Sequence, residues 1–187
     1  MGTHQPIAAA TEETCLDCRE GAPDPRALRQ ALGRFATGVT VITTRTPTGK
    51  LEGLTANSFS SVSLDPPLVL WSLRRQAPSL ASFRDSGCFA VNVLGAEQVA
   101  LSRHFATPLA DKFAGQAMAE GHGGCPLLPG CLARFECATE QLVEAGDHII
   151  FIGRIHRLTH REGVPLLFNA GHYSLPAALT AQEGRTP

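Results

Sequence analysis

The rhythm of apolar and polar positions changes twice along the chain. After a polar opening, Leu28, Leu32 and Phe35 recur at four- and three-residue spacing, which places them on one helical face. Asp24-Pro25 ahead of them offers an N-cap and a proline suited to the first helical turn, so a helix is predicted from there, closing near Gly38. Beyond it β-branched residues take over. Residues 39–45 read as a strand, and Thr46-Pro47-Thr48-Gly49-Lys50 as a turn. Residues 52–57 and 59–64 read as a strand continuing through an irregular segment, stopped by Asp65-Pro66-Pro67. Residues 68–73 are nearly all apolar, which predicts a strand buried on both faces.

The second half repeats the theme. A short helix is predicted over 78–86, with Leu80 and Phe83 three apart and Gly87 as its stop. A buried strand over 88–94 follows, then a helix over 97–105 with Val99, Leu101 and Phe105 available for burial. Residues 107–130 are loop-like, clustered around His122-Gly123-Gly124-Cys125-Pro126. Residues 131–143 and 148–159 form a long hairpin across a turn at 144–147, and a short strand at 165–168 precedes Asn169-Ala170-Gly171-His172-Tyr173. Roughly six or seven strands in hairpin-like runs, with three helices, predict a mainly β domain. A closed or nearly closed antiparallel barrel with helices outside fits this order better than a doubly wound parallel sheet. Residues 1–23 are expected to be a flexible arm, 24–176 the single domain and 177–187 a frayed tail.

Composition narrows the function classes. The 187 residues suit one domain, and 43% apolar against 18% charged residues supports a packed core. A net charge of −1, with Arg74-Arg75 the one adjacent basic pair, gives no footprint for nucleic acid or an anionic membrane. No apolar run reaches the roughly 18 residues of a bilayer span, and the N-terminus lacks the basic start and apolar stretch of a secretory signal. The expected location is cytoplasmic. Cys15 and Cys18 form a CxxC in a polar tail without a second ligand pair, so no metal site is expected. Cys88 and Cys137 read as small, reduced core residues.

No GxGxxG, Walker loop, GxSxG or HExxH motif is present. What stands out is the run from Gly53 to Leu68, in which Thr55-Ala56-Asn57-Ser58-Phe59 crowds small hydroxyl and amide side chains into a strand. Such a segment suits a flat, polar-edged ring or a phosphate, and equally a bulge of locally bonding Ser and Asn. His148, in Gly146-Asp147-His148, lines a pocket mouth or bonds its own turn. Arg103 and His104 are placed to bind an anion or to complement a helix C-terminus.

Taken in order, these segments resemble the short-chain flavin reductases, the small components of two-component flavin-dependent monooxygenases. The resemblance runs through Phe35-Ala36-Thr37-Gly38-Val39-Thr40, the Gly53 to Leu68 run, Phe89-Ala90-Val91-Asn92, Ser102-Arg103-His104-Phe105, Asp111-Lys112-Phe113, Gly146-Asp147-His148 and Gly171-His172-Tyr173. It implies an FMN-binding split β-barrel, antiparallel and Greek-key-like, that forms a homodimer and binds FMN or FAD at the subunit interface. It implies hydride transfer from NADH or NADPH to the flavin, and an oxygenase component as partner. Thr55, Ala56, Asn57 and Ser58 are nominated for the flavin, with Ser79 on the ribityl-phosphate side. Arg103 and Lys112 are the phosphate candidates, His148 belongs to the nicotinamide side, and Tyr173 lies near the pocket. The same fold reducing a corrinoid or a metal chelate, and a flavin- or ligand-binding barrel without activity, are the other readings. Trp71 departs from the pattern and takes no assigned ring contact.

Overall fold

The computed structural model describes residues 14–19 and 21–177; the expectations for the rest of the arm and for the tail from 178 onward lie outside the described residues. The first helix, α1, spans Pro25–Leu32. The Asp24 carboxylate accepts from the Ala27 amide at 3.1 Å, so the predicted cap is the one that forms. The helix ends at Gly33, not near Gly38, and the apolar face is not covered: Leu28, Leu32 and Phe35 are 42%, 65% and 78% exposed.

Strands follow in antiparallel pairs: β1 (Thr37–Gly38), β2 (Thr40–Arg45), β3 (Leu51–Ala56), β4 (Ser60–Leu64) and β5 (Pro67–Arg74). Helix α2 (Leu80–Ser86) leads into β6 (Cys88–Val93), and a 3-10 turn introduces α3 (Val99–Ala106). The loop-like stretch holds a two-residue ribbon, β7 (Ala119–Glu120) with β8 (Pro126–Leu127). The long hairpin is β9 (Ala133–Ala145) and β10 (His148–His160). Strand β11 (Leu167–Asn169) pairs with β12 (His172–Ser174), a strand the sequence reading passed over, and with β1.

Seven strands make one sheet in the order β3-β2-β6-β9-β10-β5-β4. Its two outermost strands, β3 and β4, are separated in sequence by Asn57, Ser58 and Phe59 alone, so the sheet has to curl until its edges meet. The connection between the two edge strands is tied to β5 by a side chain. Ser58 Oγ donates to the Ser72 carbonyl and accepts from the Ser72 amide, at 3.1 and 3.0 Å. This is an antiparallel barrel split along one seam.

The barrel interior is Ile42, Val69, Trp71, Phe83, Phe89, Val91 and Phe151, with the Trp71 ring stacked on Phe151 at 4.6 Å. Strands β2 and β6 are buried on both faces because on their outer side Val41 of β2 clusters with Phe105, Phe113, Leu128 and Leu166, and Cys88 and Ala90 of β6 with Cys125 and Leu127. Strand β5 is not two-sided as predicted. Val69, Trp71 and Leu73 face the core, while Leu68, Leu70 and Ser72 are only half-buried. No helix among the described residues is long and apolar enough to cross a membrane.

Candidate active site

Strand β3 is the wall against which most of the predicted residues gather. Gly53 lies inside it: a Cβ there would sit 2.8 Å from Phe105 Cε1 and 3.0 Å from Phe113 Cζ, so only glycine lets those rings approach the backbone. The Gly53 carbonyl then accepts from Lys112 Nζ at 3.1 Å, and the same ammonium donates to the Phe105 carbonyl at 2.8 Å, near the C-terminus of α3. Burial pushes the Lys112 ammonium below the usual lysine range, with Glu52 opposing the shift. Asp111 shapes this turn by accepting from the Phe113 and Ala114 amides, and His104 Nε2 lies 2.7 Å from the Lys112 carbonyl.

Two residues on, the Thr55 hydroxyl donates to the Ser102 carbonyl at 2.6 Å. Ser102, fully buried, lies 2.8 Å from the Tyr173 hydroxyl, and the exposed Arg103 guanidinium sits over the Tyr173 ring at 5.7 Å. Thr55, Arg103 and Tyr173 are therefore joined through β3, α3 and β12. Ser102 is the connection the sequence reading missed. A serine inside a helix carries no local signal of its partners, which lie 47 and 71 residues away.

At the seam the four nominated residues divide. The Ala56 carbonyl accepts from Thr40 Oγ1 at 2.7 Å, Thr55 and Ser58 have their hydroxyls engaged within the protein, and Asn57 is exposed with no side-chain hydrogen bond among the described residues. Ser79 precedes α2 and its hydroxyl makes no cap bond. A cleft of about 580 Å³ runs between the Pro78 end of that helix and residues 109–114. Of the nominated residues Lys112 alone lines it; Asn57, Arg103, Tyr173 and His148 stand outside.

His148 opens β10 opposite Arg74 of β5. Ile150 lies opposite Ser72, so His148 shares an outer sheet face with the strand position that Ser58 clamps, two residues along. Its Nδ1 lies 2.7 Å from Asp147 Oδ1. The hydrogen bond from His148 and the nearby positive charge hold the Asp147 carboxyl below the usual range, so at neutral pH it is a carboxylate that accepts from Nδ1–H. That leaves Nε2 as the ring nitrogen without a protein partner among the described residues. The structure thus forms two groups, one along β3 and one at His148, joined by the Ser58–Ser72 clamp.

The fold and these residues meet in one lineage: the chain belongs to the flavin reductase-like family, whose domain model matches residues 32–175. It is 45% identical over 153 residues to the FMN reductase (NADH) SmoA of Agrobacterium fabrum, covering 82% of this chain and 87% of that protein. It is 44% identical over 152 residues to the reductase component of the flavin-dependent trigonelline monooxygenase of Acinetobacter baylyi, covering 81% of this chain and 49% of that one. Against two further curated relatives from Rhizobium meliloti the chain spans 42% and 57% of their length. Among solved structures, the NADH:FAD oxidoreductase SgcE6 of Streptomyces globisporus, in complex with NAD and FAD fragments, superposes with a TM-score of 0.80. The two are 38% identical, over 91% of this chain and 100% of that one.

Proposed function

We propose that this chain is an NADH-dependent flavin reductase that supplies reduced flavin to a partner monooxygenase. The observation that carries the reading is the uncommitted Asn57 amide at the seam of a barrel whose family model matches residues 32–175. Relatives that match most of their own length, SmoA and SgcE6, are named for NADH and for FMN or FAD. When bound, the nicotinamide supplies a hydride at C4 and the flavin accepts it at N5.

The protein contributes positioning. Asn57 offers amide donors and an acceptor to the polar rim of a flat ring, and the hydroxyls of Thr55 and Ser58 hold the backbone around it instead of serving the ring directly. Ser79 presents a half-buried hydroxyl without a protein partner among the described residues. Arg103 is the stronger of the two phosphate candidates, since Tyr173 supports its guanidinium from one side and its fork remains exposed. Lys112 already serves two carbonyls and acts as a nearby positive charge. His148, oriented by Asp147, offers Nε2 to a polar group such as the nicotinamide carboxamide. The donor set therefore fits a flavin and a nicotinamide nucleotide. The fit is to FMN or FAD alike.

The functional unit is a homodimer. Helix α1 has no buried residue and is tied to the body by the Gly33 carbonyl accepting from the Ala170 amide at 3.0 Å. Eight residues do not hold a helix alone in water, so its apolar face calls for a covering surface. The test of activity is nicotinamide oxidation followed by absorbance, with NADH or NADPH against FMN, FAD or no flavin. Turnover that depends on added flavin is the expected result; no turnover with any pair removes the reading.

A further inference from the structure

Six cysteines are spread through the chain, and two meet away from the site just described. Cys125 Sγ donates to Cys88 Sγ at 3.4 Å. Cys88 opens β6, and its carbonyl accepts from the hydroxyls of Thr44 and Ser86 at 2.7 and 2.9 Å, which fixes the residue firmly. Cys125 ends the 121–125 segment, where Gly123 and Gly124 take the left-handed conformation at φ 62° and 74°. A Cβ on Gly123 would collide with the Cys88 sulfur, so glycine is what allows the segment to lie against it. Both thiols are nearly covered, at 6% and 1% exposed, but Cys88 lines the floor of a cleft of about 450 Å³ together with Arg45, Ser86, Glu120, Gly123 and Gly124. A residue so covered calls for a small, neutral oxidant.

The two sulfurs are unlike. The hydrogen bonds that Cys88 receives favour its thiolate and lower it below the ordinary thiol range, while the hydrogen bond to Cys88 and then burial push Cys125 up, so Cys125 keeps the proton it donates. Cys137, by contrast, is pushed up to about 12 by burial, and burial also raises Cys131. Neither lies beside another sulfur within hydrogen-bond reach among the described residues.

We propose that Cys88 and Cys125 are a peroxide-responsive dithiol, in which Cys88 is oxidised first and Cys125 resolves it into a disulfide that ties β6 to the 121–125 segment. The Cys88 thiolate attacks one oxygen of hydrogen peroxide. An S–O bond forms, the O–O bond breaks, and the departing hydroxide takes up a proton to leave as water. The Cys125 sulfur then attacks the Cys88 sulfenic sulfur. The S–S bond forms, the S–O bond breaks, and the hydroxyl leaves with the Cys125 proton as a second water. Two thiols are oxidised by two electrons, and one peroxide is reduced to two waters. The sulfurs have to close from 3.4 Å to about 2.05 Å, a movement the two left-handed glycines of the segment can accommodate. The peroxide source rests on the flavin-reductase reading: reduced flavin that meets dioxygen before an oxygenase passes it two electrons and yields hydrogen peroxide. The pair therefore senses reduced flavin that has gone astray.

The test treats the full-length protein with hydrogen peroxide, denatures and alkylates it, and maps cysteine-containing peptides. The expected result is a Cys88–Cys125 linked peptide and the loss of both alkylation sites, distinct from any Cys15–Cys18 product. In Cys125→Ser the Cys88 sulfenic acid persists and is captured by a dione reagent. Both thiols remaining alkylatable in the treated wild-type protein, or Cys88 advancing to sulfinic acid while Cys125 stays reduced, overturns the proposal whether or not the protein reduces flavin. A second arm replaces added peroxide with NADH, FMN and air. The link is expected without catalase and is suppressed with it; NADH consumption and peroxide accumulation without the link overturn the sensing role. Failure to consume NADH counts against the flavin-reductase reading alone, and the first arm still decides the dithiol.

Discussion

At the scale of single residues, neighbours at the seam have different duties. Asn57 makes no side-chain hydrogen bond among the described residues, whereas Ser58 ties the β3–β4 connection to β5 through Ser72. Asn57→Ala is therefore expected to leave the unfolding midpoint unchanged and to weaken flavin binding by about 0.5–1.5 kcal/mol, the net worth of an ordinary hydrogen bond. Ser58→Ala is expected to lower stability by a similar amount, and equilibrium fluorescence titration beside urea unfolding separates the two. His148→Ala removes a ring held by Asp147, and is expected to raise the nicotinamide KM while flavin affinity holds. An unchanged KM removes His148 from the site. Lys112 has a pH signature. Its folded-state pKa lies below the usual 10.5, so between those two values the unfolded chain binds more protons than the folded one. Stability contributed by Lys112 then rises with pH across that window, a trend opposite to that of a lysine gaining an acidic partner. Thermal unfolding below about pH 10.4 is expected to show this rise in the wild type and to lose it in Lys112→Met.

At the scale of elements, what the sequence revealed was local. The start of α1 was legible because Asp24 caps an amide three residues away, and the end of α2 because Gly87 adopts the left-handed conformation at φ 67° that its position requires. The β9–β10 hairpin was legible from its length and its turn at Gly146. The contacts that make the site were not. Thr55 reaches Ser102 and Ser102 reaches Tyr173 across sequence separations that no periodicity encodes, and the role of Gly53 depends on two aromatic rings, one of them on α3. The resemblance nominates Thr55, Asn57 and Ser58 alike, and only the geometry separates Asn57, left uncommitted, from Thr55 and Ser58. Gly53→Ala tests the β3–α3 packing. The added methyl meets Phe105 and Phe113 inside a packed cluster, and about 1–3 kcal/mol of destabilisation is expected. Urea unfolding measures it; a change under about 0.5 kcal/mol shows that the rings shift aside at little cost.

At the scale of the whole molecule, two apolar surfaces are left uncovered. Leu28, Leu32 and Phe35, which the sequence sets on one helical face, are exposed, and β5, expected to be covered on both sides, is covered on one. On that uncovered side Leu68 and Leu70 of β5 lie beside Ile150 and Ile152 of β10, all half-buried, and Leu64 at the end of β4 is 94% exposed. Apolar surface arranged this way marks an interaction site. In the proposed homodimer a second copy would supply the missing cover and would set the outer face that carries His148 against a partner surface, with the seam two strand positions away. Light scattering on the purified chain is expected to give twice 19.8 kDa. Leu70→Glu, which places a charge on the outer face of β5 while the core residues Val69 and Trp71 stay untouched, is expected to shift the mass to that of a monomer and to depress flavin-dependent turnover at least tenfold. Leu32→Glu on α1 provides the same test at the other exposed apolar surface, where no core packing is at stake. A wild-type monomer that retains full turnover would show that each chain holds a complete site, and the apolar faces would then need a different partner.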